Sequence, residues 1–203
     1  MEPLSKLSAV AVPLALANIN TDQLFPARFI KKPRSVGYSQ YLFHDLRRSD
    51  SGENNPEFEL NNEKFRTAKI LVTGPNFGSG SSREGAVYAL HDAGFRILLG
   101  SSFGEIFASS CLKNGMLAAQ LNSSIIEDIQ KELEESDNPM ISVDVEMEQI
   151  RLPSGREVRI TVDPFQKHCL TNGLNEIDLS LEFEAAISIF EENYRLTHPW
   201  TKL

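Results

Sequence analysis

Cysteine is scarce: Cys111 and Cys169 are the only two in 203 residues. Two thiols make no disulfide framework, and a reducing compartment would not keep one. They also fall short of the thiolates that an iron–sulfur cluster takes from its protein, so any such cluster belongs to another chain. Long apolar runs are missing as well. No stretch approaches the roughly 18 residues of a membrane span. The first residues, MEPLSKLSAV, show no basic region ahead of an apolar core and a small-residue cleavage site. That is the pattern of neither a signal peptide nor a transit peptide, and the expectation is a cytoplasmic protein. Positive charge is in deficit: 20 Lys and Arg against 28 Asp and Glu leave a net charge of −8. Nucleic acid needs a basic footprint and an anionic membrane a basic face, and neither is offered. A small anionic ligand remains compatible, because a few local arginines decide that.

What is present is enough apolar material, 41% of the chain, for one sizeable core. Two independent cores would be a squeeze, so residues 1–203 are expected to form a single domain. There is no internal repeat and no low-complexity tract. Ser8–Leu14 reads as a short β-branched strand whose Pro13 marks an end or an edge. Residues 18–35 carry polar and basic groups without periodicity. Residues 44–64 are rich in charge and turn formers and read as a long exposed loop, a kind of segment that is often functional.

The centre of the chain alternates. A strand over 69–73 leads into a Gly/Ser loop over 74–82, and Arg83–Ala93 is a helix stopped by Gly94. A strand over 95–99 follows, then a helix Glu105–Lys113 closed by Asn114-Gly115, then a strand over 116–121. Ser124–Glu135 is a helix in which Ser124 and Glu127 have the spacing of a capping box. Such alternation implies right-handed βαβ units on a mainly parallel sheet. After Pro139 the period changes to two: ISVDVEMEQIRL and REVRITVD, joined at Pro153-Ser154-Gly155, predict a β-hairpin. Helices near Pro164–Thr171 and over Ser180–Tyr194 close the chain. The fold class is α/β, a central mainly parallel sheet with helices and an added β-hairpin layer.

The stretch that carries chemistry is Asn76–Ala86, NFGSGSSREGA. Lying between a strand and a helix, its backbone N–H groups converge with the positive end of the helix dipole behind them, an arrangement that binds carboxylate or phosphate. A P-loop would need a Lys beside the hydroxyl residue, and none is there. A dinucleotide fingerprint would need a third glycine where Arg83 stands. An anion site in which serines and an arginine act on the ligand directly fits best. A serine hydroxyl is a poor base unless its alkoxide is stabilised by backbone donors, a helix N-terminus or a cation, and Ser81, Ser82 and Arg83 supply that setting. The plainer account has Ser81 or Ser82 as a helix cap and Arg83 as a surface charge.

This segment, with the DAGFRILLGSSFGEIFASSCLKNGML that follows it, resembles the signature of the aconitase-family swivelling domain. ANINTDQLFPARFI (17–30) resembles that family's N-terminal motif. GYSQYLFHDLR (37–47), NPEFELN (55–61) and KHCLTNGLNEIDLSLEFEAAISIFE (167–191) resemble segments of bacterial isopropylmalate dehydratase small subunits. The matches run in order over nearly the whole chain. The resemblance implies the swivelling β/β/α fold and a hydro-lyase active only with a large subunit, as a heterodimer or heterotetramer. It implies that the large subunit carries a [4Fe–4S] cluster, with no cofactor or metal held by this chain. Within the family's pattern Ser81 aligns with the catalytic serine and Arg83 with the arginine that holds a substrate carboxylate. The substrate implied is a small dicarboxylate, 2-isopropylmalate, converted to 3-isopropylmalate through an alkene in leucine biosynthesis.

Around that pair, Ser82, Asp22 and Arg34 are candidate substrate contacts, with Arg28 as a further cation. Asp22 is equally an Asx turn or loop cap by its position. Gly37, Tyr38, Tyr41, Leu42 and Phe43 form the candidate substrate-specificity loop, and their aromatics are also candidates for interface or core. His44, His91, His168 and His198 lack ligand spacing, and no catalytic role is expected of them. Three positions depart from the family's usual pattern: Ser79 stands where cysteine is usual, Gly85 where histidine is, and Asn20 where aspartate is. They leave open a paralogue for another substituted malate, such as citramalate or dimethylmalate, and a non-catalytic anion-binding module.

Overall fold

The computed structural model describes residues 1–49 and 51–201. In chain order the elements are β1 (Lys6–Leu14), α1 (Thr21–Leu24), α2 (His44–Arg47), β2 (Ile70–Thr73), α3 (Glu84–Asp92), β3 (Ile97–Gly100), α4 (Glu105–Lys113) and β4 (Leu117–Gln120). They continue with α5 (Ser123–Glu135), β5 (Met140–Asp144), β6 (Gln149–Arg151), β7 (Glu157–Arg159), α6 (Pro164–Asn172), α7 (Glu176–Leu181) and α8 (Glu184–Thr197). One seven-stranded sheet runs in the order β4-β3-β2-β1-β5-β6-β7. β1 to β4 are parallel, and β5, β6 and β7 extend the sheet antiparallel from the other side of β1. The swivelling-domain fold that the resemblance implies is the fold observed.

β1 is central rather than an edge. Its first half, Lys6–Val10, pairs with β5, and its second half, Ala11–Leu14, pairs with β2. Pro13 is tolerated because its nitrogen, like that of Ala11, faces the β5 side, where β5 has already ended at Met140.

β2 and β3 are buried along their whole length because both faces of the sheet are covered. Alternation sends Val12, Leu14, Leu71 and Leu98 into one core, with α3, α4 and the long connection from β1 to β2. It sends Ala11, Ile70, Val72, Ile97 and Leu99 into the other, with α5, β5, β6 and Leu170 of α6.

Several local expectations are corrected. Residues 44–64 are not an open loop: Phe58 is buried, and Asn61 Nδ2 donates to the carbonyls of Arg47 and Asn55, both at 2.8 Å. Lys64 Nζ also donates to the last carbonyls of α5, at 3.1 Å to Leu133 and to Glu134. Asp50, within this segment, lies outside the described residues. α5 begins at Ser123 with Asn122 as its N-cap, so Ser124 is already inside the helix and the capping box does not form. The period-two region holds three strands, because Glu148 takes a left-handed φ of 54° and Asp144 Oδ1 accepts from Met147 N at 2.9 Å, making a turn inside ISVDVEMEQIRL. The last helix is two: α7 is capped by Asn175, and the chain breaks at Glu182-Phe183 before α8.

Candidate active site

Three successive parallel strands end at one place. The connections after β1, β2 and β3 meet outside the carboxyl ends of the sheet, the usual location of ligand sites in parallel α/β sheets. The loop after β2 is held on both sides by backbone. Gly78 N donates to Ile19 O at 2.7 Å, Thr21 N to Ser79 O at 2.9 Å, and Gly104 N to Phe77 O at 2.8 Å. The Thr21 hydroxyl, itself buried, donates to Ser81 O at 2.7 Å. Gly78 is required twice over: its φ is 72°, and a Cβ there would lie 2.2 Å from the Phe107 ring.

The result is a cleft of about 210 Å³ lined by Thr21, Gly78 to Arg83, Gly104 to Phe107, and Ser110. The N-terminal ends of α3 and α4 both open into it, and neither N-cap residue, Arg83 or Gly104, supplies a side-chain acceptor to the first-turn amides. Ser81 and Ser82 are exposed at its mouth. Uncapped N–H groups, the positive ends of two helices and a guanidinium make this a place that stabilises negative charge.

Arg83 is half-buried and its Nη1 donates to Asp22 Oδ1. The other tie on Asp22 is Ala27 N, which donates to the same oxygen at 2.8 Å. The Arg83 hydrogen bond first and the Ala27 amide second hold the Asp22 carboxyl below its ordinary value. Asp22 does not itself line the cleft; it is the ion-pair partner of Arg83, which does, and it also closes a turn through the Ala27 amide.

Other candidates lie elsewhere. Arg34 forms a forked pair with Asp92, Nη2 to Oδ1 at 2.7 Å, and its guanidinium stacks 4.0 Å from the Tyr88 ring centroid. Burial pushes the Asp92 carboxyl up, but hydrogen bonds from Arg34 and from Tyr38 N outweigh it, and the net direction is down. Arg28 is paired with Asp45, whose carboxyl it lowers to about 2 against the opposing effect of burial. Neither arginine lines the cleft.

Of the loop candidates, Tyr38, Leu42 and Phe43 are buried, Tyr41 is half-buried against Phe29 at 4.3 Å, and Gly37 is a turn with φ 81°. None of the five lines the cleft. Their route to it is indirect: Tyr38 stacks on Phe25 at 4.5 Å, and a Cβ at Gly85 would lie 3.0 Å from the Phe25 ring.

Sequence reasoning passed over Thr21 and the α4 side of the cleft, Glu105, Ile106 and Ser110. The signal was available, since SSFGE repeats after β3 the strand–Gly–helix arrangement of the loop after β2.

The departures acquire different meanings. Asn20 caps α1, its Oδ1 accepting from Asp22 N at 2.9 Å and Gln23 N at 2.8 Å, a role that an aspartate oxygen fills equally. Gly85 makes room for Phe25. Nothing in the structure explains serine in place of cysteine at Ser79.

The thiols do not fit an iron–sulfur cluster. Cys111 is buried inside α4 and Cys169 inside α6, and burial pushes both thiols up, away from the thiolate a metal needs. Among the described residues no group of three His, Cys, Asp or Glu is placed to hold a metal, and no helix is long and apolar enough to cross a membrane.

The Aconitase C-terminal domain family matches residues 1–124. The 3-isopropylmalate dehydratase small subunit of Parvibaculum lavamentivorans is 42% identical over 200 residues, spanning 98% of this chain and 100% of that one. Those of Rhodopseudomonas palustris strain HaA2 and of Paramagnetospirillum magneticum are each 40% identical over the same shares. The crystal structure of 3-isopropylmalate dehydratase from Methanocaldococcus jannaschii superimposes with a TM-score of 0.65 over 90% of this chain and 98% of that one, and its 18% identity speaks to the fold alone. The family model covers more than half of the chain and the relatives match its full length: the chain belongs to the aconitase C-terminal domain family and, within it, to the 3-isopropylmalate dehydratase small subunits.

Proposed function

We propose that this chain is the small subunit of a heteromeric, cytoplasmic hydro-lyase that interconverts 2-isopropylmalate and 3-isopropylmalate in leucine biosynthesis. The observation that supports it most is the cleft, where Ser81 sits beside an Arg83 aimed by Asp22 at the junction of two uncapped helix N-termini. Arg83 binds one substrate carboxylate through its planar fork. Ser81, its alkoxide stabilised by the neighbouring amides and dipoles, takes the proton from one substrate carbon as the hydroxyl leaves the adjacent one, a departure that the partner's cluster would assist as a Lewis acid, and on rehydration gives the proton to the carbon that lost the hydroxyl. Ser82 adds a hydrogen bond to the bound acid. The cleft is open to solvent on the side of Ser81, so its other wall belongs to the large subunit. We assign the [4Fe–4S] cluster to that subunit, since no residue set here suits it. Residues 1–203 act as one swivelling unit, and the assembly is a heterodimer or a heterotetramer of such pairs.

A second substrate reading draws on Gly85. Phe25 occupies the space that a side chain at 85 would take, and Tyr38 of the candidate specificity loop backs Phe25. This packing suits a substituted malate other than isopropylmalate, such as citramalate or dimethylmalate, if it reshapes the pocket. The test is anaerobic reconstitution with the large subunit, following alkene absorbance for all three acids. Turnover of isopropylmalate that Ser81→Ala lowers by about 10²-fold or more supports the first reading. Turnover of another malate alone supports the second. No turnover from a verified complex sinks both and leaves a non-catalytic anion-binding module.

A further inference from the structure

The C-terminal arm carries an apolar face that its own chain does not cover. No residue of α8 is buried, and Phe183, Ile189, Phe190, Leu196 and Trp200 are all more than 60% exposed. Around the helix, Phe183, Ile187, Phe190 and Tyr194 form one stripe, while Ile189 and Leu196 lie on a separate flank beyond Asn193 and Thr197. Glu184, Ser188, Glu191, Glu192 and Arg195 hold the opposite side.

We propose that α8 is a docking helix that seats this face in an apolar, basic-rimmed groove of the large subunit. The proposal rests on the small-subunit reading above. Charge favours such a partner over a second copy. Between residues 174 and 197 six carboxylates stand against Arg195 alone, a net charge of −5, so two such arms would repel. The acidic polar side also suits no anionic membrane surface.

The arm is anchored at the carboxyl end of α4, the helix whose amino end opens into the cleft. Lys113 of α4 pairs with Glu176 of α7 at 2.8 Å, and His168 of α6 with Glu182 at 3.0 Å, just before α8. An apolar groove beside it is lined by Ser109, Leu112, Phe165 and Leu179, one helical turn along α4 from Ile106 at the cleft. A partner on the cleft that follows α4 along this groove would reach the arm.

The experiment titrates the purified full chain into the purified, folded large subunit by ultracentrifugation and by activity. Phe190→Asp should weaken the complex roughly 30-fold or more, as loss of a central apolar anchor does. Its helix content should match the wild type, and kcat should be restored at saturating small subunit. The double reversal Glu191→Lys with Glu192→Lys should weaken the complex further as well, and the wild-type complex should loosen with added salt. Binding by Phe190→Asp equal to wild type overturns the docking role while leaving the subunit reading intact. A wild-type dimer of this chain that Phe190→Asp dissolves overturns it in favour of a second copy. A wild-type chain that forms no complex with the large subunit overturns both readings together.

Discussion

The smallest testable unit of the site is the pair Asp22–Arg83. Because Arg83 holds the Asp22 carboxyl below its ordinary value, Arg83→Ala should let it rise part of the way back, with the Ala27 amide still holding it down, followed by carboxyl-carbon NMR titration. The sign follows from linkage. A depressed carboxyl stabilises the folded form above its unfolded value, and that contribution disappears as pH falls through the lowered folded value. The pair therefore stays intact at neutral pH and opens only in acid, and its exposure keeps its worth small. Gly85 gives the second residue-scale prediction. Gly85→His drives a side chain into Phe25, and should cost about 1–3 kcal/mol in urea unfolding. In a Phe25→Leu background the cost should shrink, because the two positions share one space. Ser81 and Arg83 were legible as residues because a glycine-serine loop between strand and helix has few uses. Thr21 was not, since its role is a hydroxyl donated across 60 residues of chain to Ser81 O.

At the scale of elements, the segment from Arg34 to Tyr38 is latched to the C-terminal end of α3 by Asp92, which accepts from Arg34 Nη2 at 2.7 Å and from Tyr38 N at 3.2 Å. Asp92→Ala should speed hydrogen exchange at the Tyr38 amide and loosen the stack on Phe25 while leaving the sheet amides unchanged. The parallel strands and their crossover helices were legible because buried strands and amphipathic helices carry strong local patterns. Ends and breaks were not. The turn inside ISVDVEMEQIRL depends on a left-handed Glu148 and an Asp144 side-chain acceptor, and period-two alternation says nothing of either. Residues 44–64 look polar as a string, yet a few aromatic contacts, such as Phe58 against Phe43 at 5.5 Å, are enough to pack them.

For the whole molecule, the two cores lie on opposite faces of the sheet, and α8 belongs to neither. Removing residues 184–203 should therefore change unfolding free energy by no more than about 0.5 kcal/mol, checked by urea titration, while the complex with the large subunit is lost. Taken by itself, the sequence determined the fold class and the family and singled out the Gly/Ser loop between β2 and α3, because composition, periodicity and motif are properties of neighbouring residues. Only the tertiary structure decided which charges meet. It spent Arg28 and Arg34 on Asp45 and Asp92, set Arg83 against Asp22, buried Tyr38, Leu42 and Phe43, and joined the amino ends of α3 and α4 at one cleft. Those outcomes depend on the packing of segments far apart in the chain, and local propensity carries no record of such distances.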